Sequence, residues 1–150
     1  MQRAGVDRRS SQLDELAAAL PQRSSELSKI FLTRTSVCVS RTEVGVLHKL
    51  IAGPRRITEL AAEERVTQPA ITLLVNRLQE RGWVDRTPDE TDRRAVLVSL
   101  TPHGEAAFEQ LSAEYRALLH EEFASLEDSE IETLAAAVGI LDQVIDRLAR

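Results

Sequence analysis

The chain has 150 residues, 43% of them hydrophobic, enough for a core and for one domain, or a domain with helical appendages. Aromatic residues make up 3%, so the core must come from Leu, Val, Ile and Ala, and the single cysteine excludes an intramolecular disulfide framework. No apolar run reaches the roughly 18 residues of a membrane span, and the opening MQRAGVDRRSS lacks the apolar stretch of a signal peptide, so a cytoplasmic protein without a membrane partner is expected.

In chain order, residues 8–36 read as an N-terminal helical region. Leu13, Leu16, Ala17, Leu20, Leu27, Ile30 and Phe31 form its apolar stripe, and Pro21 is expected to kink or split it. Residues 40–51 predict a second helix with Val44, Leu47, His48 and Ile51 on one side, stopped by Gly53-Pro54. Residues 58–64 predict a short helix carrying Leu60, Ala61 and Ala62.

Thr67 then caps a longer helix, since its hydroxyl can accept an orphan backbone N–H. Pro69 falls in the first turn, where a missing N–H costs little. Ile71, Leu74, Val75 and Leu78 recur at three- and four-residue steps and face a core, while Gln68, Thr72, Leu73, Asn76, Arg77 and Arg81 face away. Gly82 ends the helix as a left-handed cap. The period then changes: 83–87 and 95–100 suit strands joined by the polar turn 88–94, with Arg93 and Arg94 at or just after its tip. Asp92 is expected to neutralise or orient one of these arginines.

Thr101-Pro102 opens a long helix, with Leu111, Tyr115, Leu118, Leu119 and Phe123 on its buried face. Ser129 to Glu132 reads as a capping box opening the last helix, whose stripe is Ile131, Leu134, Val138, Leu141, Ile145 and Leu148. The expected fold is mainly α (α+β): a winged helix-turn-helix over 40–100, between N-terminal helices at 8–36 and C-terminal helices at 101–150. The terminal stripes are too apolar to stand alone, and pairing with a second copy in a closed two-fold dimer is the simplest way to bury them.

A helix, a tight turn, a second helix and a hairpin with an arginine tip form a DNA-reading unit. In such a unit the N-terminal residues of the second helix reach base edges, here Thr67, Gln68, Pro69, Ala70 and Thr72. A wing arginine can enter a narrow minor groove. The net charge of −5 does not oppose this, because the charge is unevenly spread. Residues 1–52 balance to +3, residues 53–104 to 0 and residues 105–150 to −8. Phosphate contact needs local positive charge, which Arg77, Arg81, Arg86, Arg93 and Arg94 can supply.

The chain resembles the MarR family of bacterial winged-helix regulators. The likeness rests on Glu59-Leu60-Ala61 and on the run from Val66 through Thr72. It continues from Leu74 through Gly82, over the wing from Asp89 to Arg94, and into Ala95-Val96-Leu97-Val98-Ser99-Leu100-Thr101. It is dense over about 60 residues and departs at two places: Leu73 stands where the family often has a basic residue, and Thr91 where the wing often has Arg. The resemblance implies a homodimer on a pseudo-palindromic double-stranded DNA operator, most simply a repressor released by a small aromatic effector. The DNA-binding set is then Thr67, Gln68, Pro69, Ala70, Thr72, Leu73, Asn76, Arg77, Arg93 and Arg94.

For the effector, the candidate lining is Phe31, Arg34, Cys38, Val44, Leu47, His48 and Tyr115, apolar surface mixed with a few polar handles. The same residues could instead simply pack the junction between the dimer base and the winged helix. Cys38, between Val37 and Val39, is either a small buried hydrophobe or a peroxide-sensing thiol of the kind some relatives use. His48, His103 and His120 lack metal-ligand spacing, so neither a metal nor another cofactor is expected. An enzyme is not expected, because no phosphate loop, triad order or carboxylate pair is present. A winged helix used only for protein contact is the remaining alternative; it would need neither Arg93-Arg94 nor an exposed Gln68/Thr72/Asn76/Arg77 face.

Overall fold

The computed structural model describes residues 2–92 and 94–149. Among these, six helices and a small sheet follow in the order α1 (Gln2–Arg34), α2 (Arg41–Ile51), β1 (Arg55–Arg56), α3 (Ile57–Glu63), α4 (Gln68–Glu80), β2 (Val84–Pro88), β3 (Val96–Leu100), α5 (Pro102–Phe123) and α6 (Asp128–Leu148). Two compact units are formed, residues 1–112 and 113–150, and the boundary falls inside α5.

The core of the first unit is assembled from Val46, Leu47 and Leu50 of α2, Leu60 and Ala61 of α3, and Ile71, Leu74, Val75 and Leu78 of α4. Trp83, Val84, Val98 and Leu111 complete it. The buried stripe of α4 is the one its periodicity predicts. That of α2 is rotated from expectation: Leu47 is buried, but Val44 is half-buried and His48 and Ile51 are exposed. Both sides of α2 carry apolar residues, and α2 seats the side that also holds Val46 and Leu50.

The sheet is antiparallel with order β1-β3-β2. The hairpin β2–β3 pairs Val84 with Leu100 and Pro88 with Val96. Strand β1 is not legible as a strand in the sequence because it is two residues long; Arg55 and Arg56 pair with Val98 and Leu97. Alternation puts Val84 and Val98 into the core while Asp85 and Thr87 stay in solvent.

Helix ends set the angles between these elements. After α3, Arg65 N–H bonds to Ala62 O at 3.2 Å and Val66 N–H to Ala61 O at 3.0 Å. After α4, Gly82 N–H bonds to Gln79 O at 2.8 Å and Trp83 N–H to Leu78 O at 2.9 Å. These are two Schellman turns, each built on a residue in the left-handed region: Arg65 at φ 54 and Gly82 at φ 70. Glycine fills the second without steric penalty; Arg65 tolerates the first and gives the tight turn between α3 and α4.

Helix α1 runs unbroken through Pro21. A proline removes one i→i−4 bond, and the helical turns on either side hold without it. The last helix starts earlier than the Ser129–Glu132 box predicts. Its cap is Glu127, whose N–H donates to the Glu130 carboxylate at 3.0 Å. The same i,i+3 spacing operates two residues upstream, with the Glu130 side chain reaching back to the Glu127 N–H. On α5, Leu111 is buried as expected, whereas Tyr115, Leu118 and Leu119 are half-buried and Phe123 is exposed. None of the described residues of α6 is buried within this chain, and Leu13, Leu16, Leu20, Leu27 and Ile30 of α1 are all exposed. No helix among the described residues is long and apolar enough to cross a membrane.

The start of α5 approaches the segment after α4 closely. Thr101 caps α5: its hydroxyl accepts Gly104 N–H at 3.0 Å and donates to Gly82 O at 2.6 Å. Its N–H donates to Trp83 O at 3.0 Å. A Cβ at Gly104 would collide with Trp83 O, which is backbone and cannot swing away. Gly104→Ala should therefore cost ~3 kcal/mol or more in urea unfolding, at the upper end for overpacking. A denaturation midpoint equal to wild type would contradict this packing account.

Candidate nucleic-acid interface

Helix α4 opens as its sequence predicts. The Thr67 hydroxyl accepts Ala70 N–H at 3.4 Å, and Pro69 sits in the first turn. With Ile71, Leu74, Val75 and Leu78 fully or nearly buried, Gln68, Pro69, Ala70, Leu73, Asn76 and Arg77 are left exposed. Thr72 is half-buried at the side facing β2, and its carbonyl accepts from Arg86 at 3.3 Å.

Arg86, which its sequence position places among the positive charges of this face, has a structural task. From β2 it donates to Asn76 Oδ1 at 2.6 Å as well as to Thr72 O. Its Nε is buried without a partner among the described residues. The guanidinium has donors only, which dictates that the oxygen of Asn76 faces it. The Asn76 amide nitrogen, with its two donors, is thereby left for other partners.

Arg81 is likewise committed. It donates to Cys38 O at 2.8 Å and lies 5.0 Å above the Trp83 ring. Trp83 itself is buried. Arg77 keeps a looser tie, with Nε 3.8 Å from Glu43 Oε1 and half its side chain in solvent. Glu43 is buried at the start of α2, where it accepts Ser40 N–H at 2.7 Å while Ser40 Oγ accepts Glu43 N–H at 3.2 Å. Two of the five arginines assigned to the positive face, Arg81 and Arg86, thus hold the frame. Arg77 and Arg94 remain exposed, and Arg93 lies outside the described residues.

The wing is organised by a residue that sequence reasoning passes over. Asp89 is 6% exposed at the base of the tip. It accepts the Thr91 hydroxyl at 2.7 Å, Thr91 N–H at 2.8 Å and Asp92 N–H at 3.4 Å. Arg56 of β1 reaches across to it, with Nε 2.7 Å from Oδ2, and also donates to Thr91 Oγ1 at 3.3 Å. Thr91 and then Arg56 stabilise the carboxylate, which holds the Asp89 pKa far below its ordinary value. Asp92 does not pair with an arginine side chain among the described residues. Its carboxylate accepts Arg94 N–H at 3.1 Å, which orients the backbone of Arg94 and does not neutralise its charge. The signal for this lock is the Asp-x-Thr spacing of a side-chain turn; its Arg56 partner, 33 positions away, has no local signal.

Of the candidate effector residues, Leu47 is 1% exposed and belongs to the core. Phe31 and Val44 are half-buried, and Arg34 and His48 are exposed. The His48 ring lies 6.1 Å from that of Phe108. Cys38 is exposed, so it is not the buried hydrophobe of the simpler expectation; its flank Val39 fills that position. In the second unit, Tyr115 is half-buried, and burial raises its phenol pKa.

The wing lock predicts an acid response. A depressed carboxylate contributes stability that is complete above its ordinary value of 3.8 and is lost as pH falls through its lower folded value. Asp89→Asn should therefore lose stability at neutral pH and flatten the acid limb below about pH 4 relative to wild type. Parallel urea titrations from neutral pH to pH 2 check this, and parallel curves for the two proteins would refute the lock.

Comparison with known proteins agrees with this geometry. The sequence profile described as "MarR family" matches residues 39–95. The multiple antibiotic resistance protein MarR of Salmonella typhimurium is 36% identical over 98 residues, covering 64% of this chain and 68% of that protein. The HTH-type transcriptional repressor MdtR of Bacillus subtilis is 29% identical over 94 residues, covering 63% of this chain and 61% of that protein. Among solved structures, a mutant MarR from E. coli superimposes with a TM-score of 0.70 at 30% identity, covering 89% of this chain and 96% of that one. The helix-turn-helix, the wing and these likenesses lead to one conclusion: the chain belongs to the MarR family of winged-helix, DNA-binding transcriptional regulators, and not to the enzymes.

Proposed function

We propose that this chain is a cytoplasmic, homodimeric repressor that reads a pseudo-palindromic DNA operator with α4 and grips the flanking backbone with its wing. The observation that carries this reading is the division of α4 into a buried stripe and an exposed face containing Gln68, Asn76 and Arg77. Thr67, Pro69, Ala70, Thr72 and Leu73 complete the surface offered to the major groove. Gln68 can approach adenine bidentately, whereas Asn76, with its oxygen held by Arg86, offers donors to an acceptor such as guanine O6 or N7. On the wing, Arg94 makes no side-chain ion pair among the described residues and is available to phosphate or minor groove; Arg93 is its proposed companion. A repressor role is supported by the B. subtilis relative that carries that name.

Dimerisation is proposed through 8–36 and 101–150, leaving 40–100 to read DNA. Leu134, Val138 and Ile145 on α6 and Leu16, Leu20 and Leu27 on α1 are exposed to an extent that water tolerates poorly. Release by a small aromatic acid is proposed through Phe31, Arg34, Val44 and His48. The exposed Arg34 and His48 are the handles for a carboxylate, and Phe31 and Val44 offer apolar surface. An effector works only by preferring one spacing of the two reading heads. A second reading, a thiol switch, is favoured by the exposure of Cys38. It is distinguished by loss of operator binding on oxidation that Cys38→Ser abolishes.

Selection from random duplex DNA tests the proposal. Wild type should enrich an inverted repeat. Gln68→Ala should weaken binding to it by about 1–3 kcal/mol and relax one position in each half-site. Arg94→Ala should weaken all duplexes and lower the salt slope by about one unit while leaving the melting temperature in place. No enriched sequence from wild type would sink the reading.

Sedimentation tests the assembly. Wild type should run as a dimer at micromolar concentration, and Leu141→Asp should give a folded monomer, since an unpaired charge in an apolar interface costs several kcal/mol. A wild-type monomer that binds a half-site tightly would count against it.

A further inference from the structure

The outward face of α4 has an apolar centre. Its buried residues Ile71, Leu74, Val75 and Leu78 define one direction. At about 100° per residue, Pro69, Leu73, Asn76 and Glu80 lie within about 30° of the opposite direction. Gln68, Thr72 and Arg77 lie farther round the sides. With Asn76 tied to Arg86, the mid-helix residue that projects unbonded toward a groove is Leu73, which is 60% exposed.

Leu73 is not an isolated apolar residue. With Val66 and Ala70 it lines an open hollow of about 240 Å³ beside the start of α2. Val66 is 36% exposed, and Pro69 and Ala70 are also exposed. Val66, Pro69, Ala70 and Leu73 thus give the first half of the reading helix an apolar surface. Polar residues flank it: Thr67 and Gln68 at the start, Asn76 and Arg77 beyond.

An apolar side chain has one specific partner in the major groove. Every hydrogen-bonding base edge there would lose water against Leu73 without gaining a bond, a penalty for each unmatched polar group. The C5-methyl of thymine is the apolar group that the groove presents. We propose that Leu73, with Ala70 beside it, selects thymine in each half-site through this methyl. The inference rests on the reading of α4 as the base-contacting helix and adds the base class that its central residue takes. It also makes the preference steric and apolar at a position where a basic side chain would select guanine.

The probe is the duplex enriched from random sequence by the wild-type protein. Each thymine in turn is replaced by deoxyuridine, which removes the methyl and nothing else. Wild type should lose about fourfold in affinity at one thymine per half-site, the equivalent of ~0.8 kcal/mol for one buried carbon. Leu73→Ala should show no loss at that thymine, while its melting temperature stays at the wild-type value because the side chain is exposed. Leu73→Arg should move the preference at the same position toward guanine.

If wild type enriches a sequence but no deoxyuridine weakens it, the thymine assignment is overturned and the DNA-reading role stands. Equal losses in wild type and Leu73→Ala assign the methyl contact to another side chain and overturn it too. Unchanged DNA binding with altered sedimentation of Leu73→Ala would make the patch a contact between copies, which also overturns it. Failure of wild type to enrich any sequence would remove both the inference and the reading beneath it.

Discussion

The whole reading unit depends on the burial of one helical stripe. Ile71, Leu74, Val75 and Leu78 lock α4 into the core beside α3 and β2, and each is at most 4% exposed. The four side chains contribute about 1.5–3 kcal/mol each by burial alone, together far more than a single hydrogen bond at the surface. Fixing the inner face of a helix fixes the outer face as well. What DNA can meet is decided by what the core removes, so core packing and specificity are two sides of one constraint. The Schellman turns at Arg65 and Gly82 then place α3 and the hairpin against the two ends of α4.

Electrostatics in this protein are local. The C-terminal segment 105–150 carries the excess acid, with a balance of −8, while the reading unit is balanced. Within that unit, arginines divide into two kinds. Arg56, Arg81 and Arg86 direct their donors to Asp89, the Cys38 carbonyl and the α4–β2 seam. Arg77 and Arg94 keep exposed guanidinium groups, which suits bidentate phosphate contact. Thr91 belongs to the same division: it takes a position where the family often has arginine and instead completes the Asp89 turn with Arg56. The wing is thus held from β1, and the exposed cation Arg94 sits later in the loop.

Much of this is legible in the sequence. The α4 stripe, the Thr67 cap, the Gly82 terminus, the hairpin and the Thr101-Pro102 start are all local patterns, in which the deciding residues lie within a few positions of one another. What escapes is long-range or degenerate. A two-residue strand has no periodicity, so β1 surfaces only through its pairing with β3. Arginine looks the same in sequence whether it meets phosphate or a carbonyl oxygen, so the tasks of Arg81 and Arg86 emerge only from geometry. Apolar residues on both sides of α2 leave the choice of buried side to tertiary packing. The early start of α6 shows two overlapping i,i+3 cap patterns, of which the glutamate pair prevails.

The central claim is that two copies of this chain present their α4 faces to one DNA duplex. Hydroxyl-radical footprinting on the duplex enriched by the protein tests it most directly. The account predicts two protected patches per strand, related by two-fold symmetry and separated by about one helical turn, roughly 34–36 Å centre to centre. Both should appear together at a single protein concentration. A lone patch, or uniform protection without a repeat, would contradict it.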